Sequence, residues 1–254
     1  MKEEIGVQYI DCNFWVGKRS TPTVYDVHDL HESTGILKNL CIAGAFATHI
    51  ASLEYSPSVG NEWILETCAA SEFPLYPVWT LLPGFTGEFP GAEKLRQLLA
   101  EKNIRLVRMY PARQNHHFCL SDWCCGALFE VLQELKIPLM LDAGQLEWSE
   151  LEAFLRSHRG LNVILSALTY RDDRCLYPLM ETFDQLYLET SGIHGFLAIE
   201  ALTARFGASR LVFGSNAPWC DAGSAYAVVA LADISESQRA QIASQNILRL
   251  TGCL

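Results

Sequence analysis

The chain has 254 residues, half of them hydrophobic and 19% charged, with 19 basic and 29 acidic residues and a formal net charge of −10. That much apolar surface excludes a disordered chain. The acidic balance argues against a general nucleic-acid binder and against electrostatic docking on an anionic membrane.

The length suits one barrel-sized domain, expected to span 1–254. The opening MKEEIGV is acidic and lacks an apolar stretch, so no export signal and a cytoplasmic location are expected. The longest apolar stretches, 40–53 and 225–232, fall short of the ~20 residues of a membrane span. The nine cysteines contain no CxxC spacing and read as free thiols of a reducing compartment. The closest set, Cys119, Cys124 and Cys125, reads as small hydrophobes rather than a structural zinc site.

Eight apolar runs of strand length follow one another. The first, 5–10, leads into Asp11, Cys12 and Asn13; alternation turns Asp11, Asn13 and Trp15 to one face and Cys12 outward. Runs at 40–47, 74–82 and 104–110 come next, and in the last of these Ile104, Leu106, Arg108 and Tyr110 share a face. Between them, 92–102 repeats Leu95, Leu98 and Leu99 at helical spacing. Ser121 opens a helix that carries Leu128, Val131, Leu132 and Leu135 on one face. The run 138–142 ends on Asp142, and Ser149 with Glu152 forms a capping box for the following helix. Runs at 162–168, 185–190 and 210–214 complete the set, leading to Ala167, to Glu189 and Ser191, and to Asn216. Ser235 and Gln238 repeat the capping device before the last helix.

Strands alternating with helices imply a parallel sheet. Eight units of about 32 residues match the ~30 residues of a βα unit and predict an α/β fold, a single closed (β/α)8 TIM barrel. The alternative, an open doubly wound sheet, lacks the GxGxxG that would follow its first strand.

Chemistry in such a barrel sits at the C-terminal strand ends. Arg108 beside Asp142 reads two ways: a guanidinium that grips a carboxylate or phosphate, or an ion pair that plugs the mouth. Asp142 and Glu189 read as a carboxylate pair for acid–base work or as partners of Arg108 or Arg171. His194, after the seventh run, is placed to reach the mouth, while Arg113, His116 and His117 share a loop that reads as solvated or as a second polar cluster. His28, His31, His49 and His158 are scattered. Cys220 is the thiol nearest the opening, without an identified base. Phe14, Trp15, Trp79, Tyr110, Tyr170 and Trp219 make the strand ends aromatic, which describes a small-molecule pocket and equally a filled barrel.

Four stretches, 56–62 (SPSVGNE), 137–144 (IPLMLDAG), 211–218 (LVFGSNAP) and 244–250 (SQNILRL), resemble in order and placement the amidohydrolase superfamily, specifically its amidohydrolase-related branch of decarboxylase- and lactonase-like barrels. The resemblance implies a divalent metal held by a His-x-His pair on the first strand, single histidines on the fifth and sixth, and an Asp on the eighth. Those positions fall here on Asn13 and Trp15, Asp142, Ala167, and Asn216. One carboxylate with two amides is a poor set for zinc and a thin one for calcium or magnesium. We therefore expect no metal at that place and no cofactor, leaving open a recruited ion at Asp11, Asp142 and Glu189.

The expected function is that of a divergent amidohydrolase-related protein that lacks the usual metal site and holds a small anionic ligand, a carboxylate or phosphate, at the C-terminal face. Asp142, Arg108 and His194 are the candidate catalytic residues; Asn13, Trp15, Tyr110, Asn216 and Glu189 are the candidate binding residues. Two alternatives stand beside it: a metal-independent hydrolase, lactonase or decarboxylase, and a non-catalytic binding or interaction protein. A homo-oligomer is compatible with all three.

Overall fold

A computed structural model describes residues 7–21 and 29–253. The start of the 5–10 run and His28 lie outside the described residues. The strands are β1 (Tyr9–Val16), β2 (Ile42–His49), β3 (Leu75–Thr80), β4 (Leu106–Arg108), β5 (Leu139–Asp142), β6 (Val163–Ser166), β7 (Leu186–Glu189) and β8 (Leu211–Val212). They pair in parallel and in chain order, β1 to β8. The circle closes between β1 and the segment after β8. The Cys12 N–H donates to the Phe213 carbonyl at 3.0 Å and the Trp15 N–H to the Ala217 carbonyl at 2.8 Å. This is the (β/α)8 barrel predicted from the pattern.

Helices α1 (Leu30–Asn39), α2 (Ala51–Glu54), α3 (Pro57–Ala70), α4 (Ala92–Glu101), α5 (Asp122–Leu135), α6 (Trp148–Ser157), α7 (Asp173–Thr182) and α8 (Ala198–Phe206) connect the strands, and α9 (Ala222–Ala230) follows β8. Helices α10 (Glu236–Ala240) and α11 (Asn246–Thr251) follow β8, joined by a π-helical turn, Gln241–Gln245. Among the described residues, no helix is long and apolar enough to cross a membrane.

Two apolar layers follow from strand alternation. Outward residues such as Val107, Leu139, Leu141, Val163 and Leu188 pack against helix faces that include Leu95, Leu99, Leu128 and Leu132. Inward residues Ile10, Cys12, Phe46, Val78, Leu106, Met140, Ile164 and Val212 fill the barrel, and Ile247 and Leu250 of α11 stopper it.

Four sequence expectations change. The β1–β2 register shifts between Asp11 and Phe14. The irregularity breaks simple alternation, so Cys12 faces the barrel interior rather than outward. Phe14 and Trp79 belong to the outer layer and do not line the mouth. Ile104, ahead of β4, also joins the outer layer. Helix α6 starts at Trp148, with Glu147 and Glu150 forming the capping box, two residues before the predicted pair. The Ser235–Gln238 box is present as predicted.

Candidate functional site

The C-terminal strand ends converge on a buried polar network. Its centre is Arg108, the last residue of β4, only 2% exposed. Arg108 Nη1 donates to Asn13 Oδ1 of β1 at 2.8 Å, and Nη2 donates to Asp142 Oδ1 of β5 at 2.8 Å. The Ser166 hydroxyl of β6 donates to the same carboxylate oxygen at 2.6 Å. One guanidinium fork thus bridges strands on opposite sides of the mouth, a geometry that suits its planar set of donors.

Asn13 passes the network on. Its Nδ2 donates to Glu189 Oε2 at 3.1 Å, and the Ser191 hydroxyl donates to that oxygen at 2.7 Å. Glu189 reaches β1 from β7 across the segment that follows β8. Gly214 makes this possible, since a Cβ there would lie 2.4 Å from Glu189 Oε1. Complete burial pushes the Glu189 carboxyl up to about 7, against the hydrogen bonds from Ser191. Asp11 accepts the Asn13 and Ser215 N–H groups at 2.9 Å each, together with the Ser215 hydroxyl, and so ties β1 to the closing segment. Burial raises its pKa too, while those bonds oppose the shift.

An aromatic stack covers the network. The Trp15 indole, 2% exposed, lies 4.0 Å from the Trp219 ring, centroid to centroid, and donates to Asn216 Oδ1 at 3.0 Å. The Arg108 guanidinium carbon sits 4.6 Å from the Trp15 ring on the inside, and that of Arg19 sits 4.6 Å from the Trp219 ring. Two cations therefore cap two stacked indoles between the barrel centre and its edge. Tyr110 packs beside them, 5.5 Å from the Arg108 guanidinium. Burial raises its phenol pKa. The Tyr110 hydroxyl and Arg108 Nε are buried without a hydrogen-bond partner in the protein.

The structure thus brings together Asn13, Trp15, Arg108, Tyr110, Asp142, Glu189 and Asn216. It leaves His194 out: His194 is exposed and lines a small cavity of about 30 Å³ with Leu168, Tyr170 and Tyr177. Tyr170 is likewise exposed rather than part of the mouth. Glu189 pairs with Asn13 and Ser191, not with Arg108 or Arg171. His116 packs edge-on to Tyr110 at 5.8 Å, and burial lowers its pKa, whereas Arg113 and His117 are exposed. The Cys12 thiol is raised well above its ordinary pKa, first by burial and then by Glu189, which removes it as a nucleophile. Cys220 is exposed and accepts from Asn216 Nδ2 at 3.4 Å.

Sequence reading missed Ser166, Ser215 and Arg19. A signal for the two serines existed: each is a small hydroxyl at the end of an apolar strand run, where a buried carboxylate needs donors. Arg19 lies beyond β1 and carried no such mark.

Of the five positions that the resemblance gives to metal ligands, Asn13, Trp15, Asp142 and Asn216 have polar atoms engaged inside the protein. The fifth, Ala167, has none. Among the described residues, no group of three or more His, Cys, Asp or Glu side chains is placed to hold a metal, the set Asp11, Asp142 and Glu189 included.

The family model described as amidohydrolase matches residues 44–252. No curated protein matches the sequence. Solved structures share the fold over nearly the whole chain. The 5-carboxyvanillate decarboxylase from Sphingomonas paucimobilis is 12% identical, with a TM-score of 0.72, covering 97% of this chain and 99% of that one. The 5-carboxyvanillate decarboxylase from Novosphingobium aromaticivorans, complexed with manganese and 4-hydroxy-3-methoxy-5-nitrobenzoic acid, is 11% identical, with a TM-score of 0.76, covering 98% and 97%. The 2,6-dihydroxybenzoate decarboxylase from Rhizobium is 15% identical, with a TM-score of 0.70, covering 98% and 99%.

Proposed function

Given that the chain belongs to the amidohydrolase family, we propose that it is a divergent member that binds a small carboxylate at the C-terminal face of its barrel without the family's metal. The donor set carries the second half of this reading. An indole, a methyl group, two amides and one carboxylate do not fit a divalent ion. Asn13 and Asp142, the two best oxygen donors of that set, already accept from Arg108.

The observation that carries ligand binding is a pair of buried groups without a partner in the protein, Arg108 Nε and the hydroxyl of Tyr110, whose ring centroid lies 5.5 Å from the guanidinium carbon. A buried charged donor without an acceptor is costly, and a carboxylate brings two acceptor oxygens for such donors. The solved relatives named as decarboxylases of 5-carboxyvanillate and 2,6-dihydroxybenzoate point to a carboxylated ring as the ligand class. Entry requires the half-buried Trp219 to move off Trp15, after which the ligand ring takes over the stack. Asn13, Asn216 and Glu189 shape the polar side of this site, and His194 lies outside it, in the cavity it shares with Leu168 and Tyr177.

Thermal unfolding in the presence of 2,6-dihydroxybenzoate tests the reading. At about 10 mM, a ligand with a Kd of about 1 mM raises the Tm of a chain this size by about 3 °C. The shift should shrink in Tyr110→Phe, and resorcinol, the same ring without the carboxylate, should give none. Equal shifts with both compounds, or none with any carboxylated ring, would refute the proposal.

A second reading, metal-independent decarboxylation or hydrolysis, is favoured by Asp142, whose side chain is 22% exposed while it holds Arg108. It is the acid of the network placed to exchange a proton with a ligand at the mouth.

A further inference from the structure

We propose that the Arg108 guanidinium is the resident cation of this barrel, and that the slot around it is a guanidinium-binding site rather than a vacated metal site. The inference holds with or without a carboxylate ligand.

The Nη edge of the slot and its aromatic sides match a flat, delocalised cation, while Nε stays without an acceptor in the protein. The Nη edge is met by two oxygens from strands that are not neighbours, Asn13 Oδ1 on β1 and Asp142 Oδ1 on β5, each at 2.8 Å from a different Nη atom. Each of these oxygens belongs to a residue that is itself held. Ser166 donates to Asp142, and Glu189 accepts from Asn13, so that the Asn13 amide presents its oxygen to Arg108 and its nitrogen to Glu189. The aromatic sides are Trp15 at 4.6 Å and Tyr110 at 5.5 Å from the guanidinium carbon. A metal ion uses oxygen or nitrogen lone pairs arranged around a sphere and gains nothing from an indole face; a guanidinium uses both edge acceptors and ring faces.

The charge pattern agrees. Arg108 is buried at the centre, and its direct anionic partner is Asp142. Glu189, one residue further out, reaches it through the neutral Asn13 amide. Removing the guanidinium alone therefore leaves the partly buried Asp142 carboxylate uncompensated and empties a buried slot, so loss of this one partner is damaging.

Thermal unfolding of the full chain tests this with Arg108→Ala and Arg108→Met. The first opens the slot; the second fills its volume without charge. Both should unfold about 10 °C below the parent chain. Methylguanidinium at about 10 mM should raise the Tm of Arg108→Ala saturably by about 3 °C or more and leave the parent unmoved. Urea and manganese at the same concentration should leave both chains unmoved. The double variant R108M/D142N, which removes both charges, should recover at least half of the loss seen in Arg108→Met, and it keeps the test valid where Arg108→Ala does not fold.

Three outcomes overturn the proposal. One is an Arg108→Met chain as stable as the parent, which makes the residue a volume filler. Another is stabilisation of Arg108→Ala by manganese but not by methylguanidinium, which makes the slot a covered metal site. The third is a double variant no more stable than Arg108→Met.

Discussion

Trp15→Ala is expected to destabilise the chain by about 3–5 kcal/mol, the range for deleting a large buried aromatic side chain. The indole joins the barrel interior to its covering loop. It is sandwiched between Arg108 and Trp219 and donates to Asn216. Alanine at this position removes the ring contacts, leaves Asn216 Oδ1 without its donor and uncovers a buried guanidinium. Trp15→Phe keeps a ring in the stack and loses the N–H, so it should cost less. Urea unfolding of the two variants measures the difference. Equal losses would place the stabilisation in the hydrogen bond to Asn216 rather than in the stack.

The second large effect is a pH dependence carried by Glu189. Burial pushes the carboxyl up to about 7 in the folded chain, whereas an unfolded glutamate titrates near its ordinary value of 4.5. Between those values the folded chain keeps a proton that the unfolded chain has released. The contribution of this group is therefore complete below about pH 4 and is lost as pH rises toward 7, by about 3 kcal/mol in all. Other carboxylates add their own slopes, so the informative quantity is the difference between the parent chain and Glu189→Gln. The parent should lose stability relative to the variant from pH 4.5 to 7.5, with no further relative change above pH 8. Parallel pH profiles for the two chains would show that the buried carboxyl is ionised throughout.

The fold was legible because the strands coincide with apolar runs bounded by breaks, the pattern that parallel strands covered on both faces need; β1 departs from it, running on through Asp11 and Asn13 to Val16 rather than ending at residue 10. Orientation along β1 was not legible. The register shift between Asp11 and Phe14 is set by pairing with β2, and it turned Cys12 inward against a reading based on alternation alone. The start of α6 slipped because a glutamate, Glu147, takes the capping position that the sequence reading gave to a serine.

The site was legible where strands are neighbours. Arg108 and Asp142 end adjacent strands, so their pairing followed from chain order. The Asn13–Glu189 contact joins β1 to β7 across the segment beyond β8 and depends on the missing Cβ of Gly214, which no local pattern announces. The stack of Trp15 on Trp219 was readable only as a shared neighbourhood. Its order, with a cation on each outer face, comes from loop geometry.

In the proposal above a protein guanidinium, not a metal ion, organises the C-terminal face of this barrel. Elemental analysis of tag-free chain purified without chelators tests it most directly. Less than about a tenth of an equivalent of zinc, manganese or iron per chain is expected, unchanged after incubation with each metal and desalting. About one equivalent of any of them, retained through desalting and lost in Asp142→Asn, would contradict it and return the site to metal-centred chemistry.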